Sequence, residues 1–152
     1  MPISRPAAET VRPCSFSIRI TSQSWATPCL TGTRLAARLE KAGRPAVTTV
    51  VSVEEQLRGW LARIAKVRDP LAQVAAYTEP GERVNFLAAF TFLPWDSEAA
   101  DLFQRLRRQG IRIGSMDLKI ACTVIAHDAT LLTRNTLDFA QVPGLRFENW
   151  LD

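Results

Sequence analysis

A chain of 152 residues, 47% hydrophobic and 22% charged, has the size and balance of one globular domain able to bury a core without disulfide or metal staples. Its formal charge of +4 and pI near 9.4 are compatible with a polyanionic partner, but an excess this small also occurs on proteins that never meet one. No apolar run approaches the roughly 18 residues of a membrane span, so no membrane association is expected.

The opening MPISRPAAETVRP lacks the apolar segment of a secretory signal, and the cytoplasm is the expected compartment. Cys14, Cys29 and Cys122 are odd in number, lie in no metal-ligand spacing, and read as reduced thiols. Residues 1–33 stand apart as an atypical N-terminal segment, either a degraded first strand or a tail. They hold four of the nine prolines and a single acidic residue, Glu9, and no helical period runs through them. Only Ser15 to Thr21 alternates apolar and polar, which predicts a half-buried strand at best.

Regular signals begin at Arg34 and define a domain over residues 34–152. Leu35, Ala36 and Leu39 share one face of a short helix that should end near Gly43. Val47 to Val51 is a β-branched run suited to a buried parallel strand. Ser52 is expected to cap the next helix, with Glu54 and Glu55 in its first turn and Val53, Leu57, Trp60, Leu61 and Ile64 as its core stripe. Pro70 opens a further helix with Leu71, Val74 and Ala75 facing inward, and Pro80-Gly81 should break it. A short strand is expected at Thr91 to Leu93.

Asp96 or Ser97 then opens a helix with Ala99, Ala100, Phe103 and Leu106 inward. Its outer Arg105, Arg107 and Arg108 read as a solvated face rather than an RNA-binding patch. Ile111 to Ile113 is expected as a strand, Ser115 as a cap, and Met116 to His127 as an apolar helix buried on most sides. Ala129 to Thr133 and Leu145 to Trp150 complete the strands, the last at an edge. This alternation predicts an α/β fold in three layers, α/β/α, around a mostly parallel sheet.

In such a fold Glu55, Asp117 and Asp138 all follow strand ends on one edge of the sheet. Gathered carboxylates repel one another and take up protons unless a hard cation neutralises them. Mg2+ or Mn2+ suits an oxygen-rich site of this kind, and metal-assisted hydrolysis of a phosphodiester is the chemistry it supports. Singly, each residue has a plainer reading. An acid in a first helical turn favours the dipole, which is the reading taken for Glu54, and Asp138 or Asn135 alone is a turn residue. The joint placement is what points to a site. His127 is the only histidine and reads as a helix-end residue; no His cluster, Gly-rich phosphate loop or Ser/His/Asp set competes.

Three blocks carry a resemblance. Ser52-Val53-Glu54-Glu55-Gln56-Leu57-Arg58-Gly59 sets a Ser before and a Gly after an acid, Gly114-Ser115-Met116-Asp117-Leu118-Lys119-Ile120-Ala121 centres on an Asp, and Leu132-Thr133-Arg134-Asn135-Thr136-Leu137-Asp138-Phe139 closes the domain. Together, over about Arg34 to Trp150, they resemble the PIN-domain proteins of the VapC type, the ribonuclease toxins of type II toxin–antitoxin pairs. The resemblance implies a PIN-like fold, Mg2+-dependent (or Mn2+-dependent) endonuclease action on RNA, and neutralisation by a VapB-type antitoxin whose tail enters the site. It also implies a homodimer as a common state. By position, Glu55, Asp117 and Asp138 would be the catalytic acids and metal ligands, with Asn135 supporting them. Thr133 or Arg134 would touch phosphate or orient an acid.

One departure stands out. The family opens with an apolar strand ending in an aspartate, typically Leu-Leu-Asp-Thr-Asp, whereas this chain has no aspartate before Asp69. Phe16 to Thr21 occupy the place, and their polar alternation is wrong for a central parallel strand. Codons for Pro13 to Thr21 can be chosen so that reading one base earlier spells Asp-Thr-Asp, which makes a frame change before about Thr33 the expected origin. Codons that cannot spell it end that idea. The second function to weigh is therefore a catalytically crippled PIN remnant that retains at most antitoxin binding or self-association.

Overall fold

The computed structural model describes residues 16–18, 31–43 and 45–150. Among these residues five short strands pair in parallel: β1 (Phe16–Ile18), β2 (Ala46–Thr49), β3 (Thr91–Leu93), β4 (Thr130–Leu132) and β5 (Phe147–Glu148), in the order β3-β2-β1-β4-β5. Parallel neighbours cannot be joined by a tight turn, so helices carry the crossovers. These are α1 (Thr31–Ala42), α2 (Val50–Ile64), α3 (Pro70–Leu87), α4 (Ser97–Arg108), α5 (Ser115–Ala126) and the single turn α6 (Thr136–Phe139). α1 ends at Gly43, whose φ of +59° suits a residue without a Cβ.

Successive strand residues face opposite sides of a sheet, and the apolar ones divide accordingly. Val47 and Leu131 join Leu118, Ile120, Val124, Ala99, Leu106 and Phe139 in a core under α4, α5 and α6. Their neighbours Ala46 and Leu132 join Trp60, Leu87, Leu39 and Trp150 in a second core under α1, α2 and α3. The sheet is thus covered on both faces, the three-layer α/β/α arrangement expected. Of the strand expected within Ser15 to Thr21, Phe16–Ile18 lie among the described residues and take the central place, with β2 on one side and β4 on the other.

Several boundaries differ from expectation, each for a local reason. α2 is capped by Thr49 rather than Ser52, because the Thr49 hydroxyl accepts the Ser52 amide at 3.0 Å and also bonds its hydroxyl at 2.9 Å. The helix therefore starts at Val50, and Glu54 and Glu55 fall in its second turn. α5 is capped by Gly114, not Ser115. Ile111 to Ile113 form no strand: the Ile111 amide turns back to the Leu106 carbonyl at 3.1 Å while Ile113 plugs into the core. The last strand shrinks to Phe147–Glu148.

The largest differences concern α2 and α3. Pro80-Gly81 does not end α3, which runs on to Leu87. An internal proline forfeits one backbone bond and crowds the preceding turn, at roughly 3 kcal/mol. Packing on α2 offsets this, through Leu87 against Trp60 and an Arg63–Glu79 ion pair at 3.2 Å. The stripe predicted to face inward does not. Leu71 is 82% and Val74 64% exposed, Ala75 is exposed as well, and on α2 Leu61 is 64% exposed beside Leu57.

Candidate active site

In a sheet with this strand order, helices leave in opposite directions on the two sides of β1, which opens a crevice at the carboxyl ends of the strands. The elements around it place the sequence-selected residues. α5 and β4 are joined by only three residues, so a 12-residue helix of about 18 Å returns its N-terminus, and Asp117, to that edge. Thr133 follows β4 directly, and Asn135 and Asp138 sit on the α6 turn after it. Glu55 is the sixth residue of α2, which leaves the end of β2. Glu55, Asp117 and Asp138 are each half-buried.

The closing block is the most tightly specified part. Thr133, 2% exposed, donates its backbone amide to Glu148 of β5 at 3.0 Å, and its hydroxyl accepts the Asn135 amide at 3.1 Å. Asn135 in turn donates its side-chain Nδ2 to Asp138 Oδ2 at 2.8 Å. One carboxylate oxygen of Asp138 is thereby fixed in place by a hydrogen bond. Phe139, fully buried next door, anchors the turn in the core. Arg134 projects to the exposed side of the same edge.

Asp117 is the third residue of α5, beside the positive end of the helix dipole. Its Oδ2 lies over the helix start, 3.3 Å from where a Cβ on Gly114 would be. No signal in the sequence marks that approach. Gln56, next to Glu55, is 7% exposed, and its Nε2 is buried with no hydrogen-bond partner among the described residues. Apolar patterning gives no warning of that either.

Asn135 and Asp138 are brought into direct contact, with Thr133 behind them. Glu55, Asp117 and Asp138 share the edge, but among the described residues no group of three or more His, Cys, Asp or Glu side chains is placed to hold a metal ion. Outside the edge, His127 is the helix-end residue the sequence suggests, and of the three arginines expected on a solvated face Arg107 departs. His127 caps the C-terminus of α5, with Nδ1 2.9 Å from the Thr123 carbonyl and Nε2 3.4 Å from Asp96, the N-cap of α4. It ties two helix ends together. Arg107 lies over the Phe103 ring and donates to the Ile111 carbonyl, while Arg105 and Arg108 are exposed. Cys122 is a buried free thiol; burial pushes its pKa up from 9.0 to about 11, partly countered by Arg107 and Arg105, so it stays protonated through the neutral range. Cys14 and Cys29 lie outside the described residues. Among those described, no helix is long and apolar enough to cross a membrane.

Residues 31–145 match the PIN domain family. The chain belongs to that family. Over 112 residues it is 30% identical to Ribonuclease VapC2 of Rickettsia felis, a match that covers 74% of this chain and 78% of the relative. Among solved structures it is similar to VapBC2 from Rickettsia felis bound to a DNA fragment from their promoter, with a TM-score of 0.64, 20% identity and coverage of 90% of this chain and 98% of that one. DNA-bound VapBC from Salmonella typhimurium follows, with a TM-score of 0.63 and 21% identity over 90% of this chain and 98% of its own. Its relatives in the family are thus VapC-type ribonucleases, and at these identities the solved structures speak for the fold.

Proposed function

We propose that the chain is the toxin half of a type II toxin–antitoxin pair, an endoribonuclease of the VapC type that hydrolyses RNA phosphodiesters in the cytoplasm and is silenced by a VapB-type antitoxin. The observation that carries this reading is the linked set Thr133–Asn135–Asp138 at the carboxyl edge, beside the helix start that bears Asp117. The identity to Ribonuclease VapC2 supports it. In kind, the carboxylate oxygens of Glu55, Asp117 and Asp138 suit Mg2+ or Mn2+, which would supply charge neutralisation for a phosphodiester. In arrangement they fall short, because the described side chains do not converge as a metal-holding set. What the chain itself contributes is positional: Thr133 fixes the Asn135 backbone, Asn135 fixes one oxygen of Asp138, and exposed Arg134 offers a charge for a phosphate. Cleavage of RNA in Mg2+ should fall about 100-fold or more in Asp117→Ala, as expected when a group acting on the metal or reacting centre is lost. Equal cleavage by the two proteins would overturn the assignment.

A second reading, a PIN remnant that has kept its partner and lost its chemistry, is favoured by one observation. The central strand, Phe16–Ile18, brings no carboxylate to the edge. The two readings part on whether the chain as it stands cleaves RNA at all in Mg2+.

The partner has a surface to meet in either case. Leu57 and Leu61 on α2 and Leu71, Val74, Tyr77 and Val84 on α3 are exposed large apolar side chains on two helices that pack together. Such a stripe is what an amphipathic antitoxin segment would cover. Lys66 and Arg68, exposed between the two helices in sequence, favour an acidic one. Val74→Asp should weaken antitoxin binding about 30-fold, a hot-spot effect, while melting as the parent does. Calorimetric titration with the cognate antitoxin measures this. Unchanged affinity combined with loss of a homodimer would assign the stripe to self-association instead.

A further inference from the structure

We propose that Gly114 is a positioning residue for Asp117: the absent side chain at the head of α5 is the space in which the Asp117 carboxylate sits. The backbone gives no reason for a glycine here. Its φ of −49° and ψ of 143° are ordinary for any residue, and no side-chain cap is made. A helix N-cap takes Ser, Thr, Asp, Asn or Gly, the first four for a side-chain oxygen that takes up a free amide. Gly114 forgoes that oxygen.

Space supplies the reason. A Cβ built on Gly114 would meet Asp117 Oδ2 at 3.3 Å, Cγ at 3.7 Å and Cβ at 3.9 Å, all three atoms of one side chain. Every other described glycine, Gly59 and Gly81 in their helices included, has nothing within 4 Å of such a Cβ. The carboxylate therefore leans back over its own first helical turn, into the place where residue 114 would otherwise carry a methylene. Adding that carbon forces the carboxylate to give by a few tenths of an ångström or to turn about its χ angles. The fold would barely register this, because Gly114 is exposed. A working carboxylate would, since reacting groups must be held to within about 0.5 Å and a misplacement near 1 Å can cost about 100-fold in rate. The proposal rests on the reading of Asp117 as a working carboxylate.

The test uses the full chain with Gly114→Ala and Gly114→Ser. Both add the Cβ; the serine also restores a capping oxygen, so helix capping and carboxylate displacement are separated. Three quantities are read: the Asp117 13Cγ resonance, the melting temperature, and RNA cleavage in Mg2+ beside Asp117→Ala. The expected result is a displaced Asp117 resonance in both variants, melting within about 4 °C of the parent, and cleavage lowered about 10-fold in both. An Asp117 resonance unmoved in both variants overturns the proposal whatever the activity. Cleavage lost in Asp117→Ala but complete in both Gly114 variants overturns it while leaving the functional reading intact. Cleavage retained in Asp117→Ala overturns that reading, and the catalytic meaning of Gly114 with it.

Discussion

Placing an aspartate at the end of the central strand, Ile18→Asp, is expected to raise Mg2+-dependent RNA cleavage about 100-fold or more over the chain as it stands. Position 18 is the register partner of Leu132, one residue before Thr133, and β1 lies between β2 and β4. It is thus the strand end nearest the crevice that Asp117 and Asp138 flank. Hard divalent cations bind where several carboxylate oxygens converge, and a carboxylate at position 18 would add one from the central strand. Two further signs follow. Without Mg2+ the added charge should lower the melting temperature, because like charges then crowd one edge. With Mg2+ it should recover, since an ion that binds only the folded chain stabilises it. Adding Asp117→Ala should return cleavage to background. Should Ile18→Asp bring neither cleavage nor a Mg2+-dependent melt, the same comparison made with Leu-Leu-Asp-Thr-Asp across positions 16–20 decides, and failure there sinks the metal-dependent reading.

Phe139→Ala is expected to destabilise the fold by about 3–5 kcal/mol, a large share of the 5–15 kcal/mol that domains of this size possess. Phe139 is fully buried in the core under α4 and α5, although it belongs to a helix of a single turn. A four-residue helix has almost no stability of its own, so this one side chain decides whether Asn135 and Asp138 are held or adrift. For a chain of this length the loss corresponds to a melting temperature lower by about 10 °C, read by calorimetry or by urea unfolding with an unchanged slope. Leu137, two residues away and 85% exposed, is the control: Leu137→Ala should change stability by less than about 0.5 kcal/mol. A Phe139→Ala protein as stable as the Leu137→Ala control would contradict the burial that fixes the turn.

How much of this was legible beforehand depends on whether the determining contact lies within a short span of sequence. The alternation of strands and helices, the placement of Asp117 at a helix head and of Asn135 and Asp138 after a strand all follow from local periodicity and turn residues. The cap of α2 was misplaced because Thr49 and Ser52 are both good caps three residues apart, and they bond each other in the fold. α3 misled for a different reason. Leu71 and Val74 at helical spacing look like a core face, and periodicity cannot say whether the covering surface belongs to the same chain. Pro80 misled because its local penalty is outweighed by packing on α2, a tertiary fact. Ile111 to Ile113 have strand-like residues, but the Ile111 amide is taken by the Leu106 carbonyl at the end of α4 and Ile113 by the core, contacts that strand-like composition does not reveal. The lean of Asp117 into the space at Gly114 involves χ angles, which no sequence pattern encodes.

The three-residue β1 also sets a problem of timing. It is made before either of its partners: Phe16 pairs on one side with Ala46 and on the other with Thr130, 114 positions later. During synthesis β2, β3 and their helices can assemble early, but the open side of β1 waits until β4 has been made. Long-range parallel pairings of this sort are slow to close, and an open edge in the interval invites the wrong strand. The central strand thus carries a long wait, and the joining of the sheet's two halves becomes a late event in the folding of each chain.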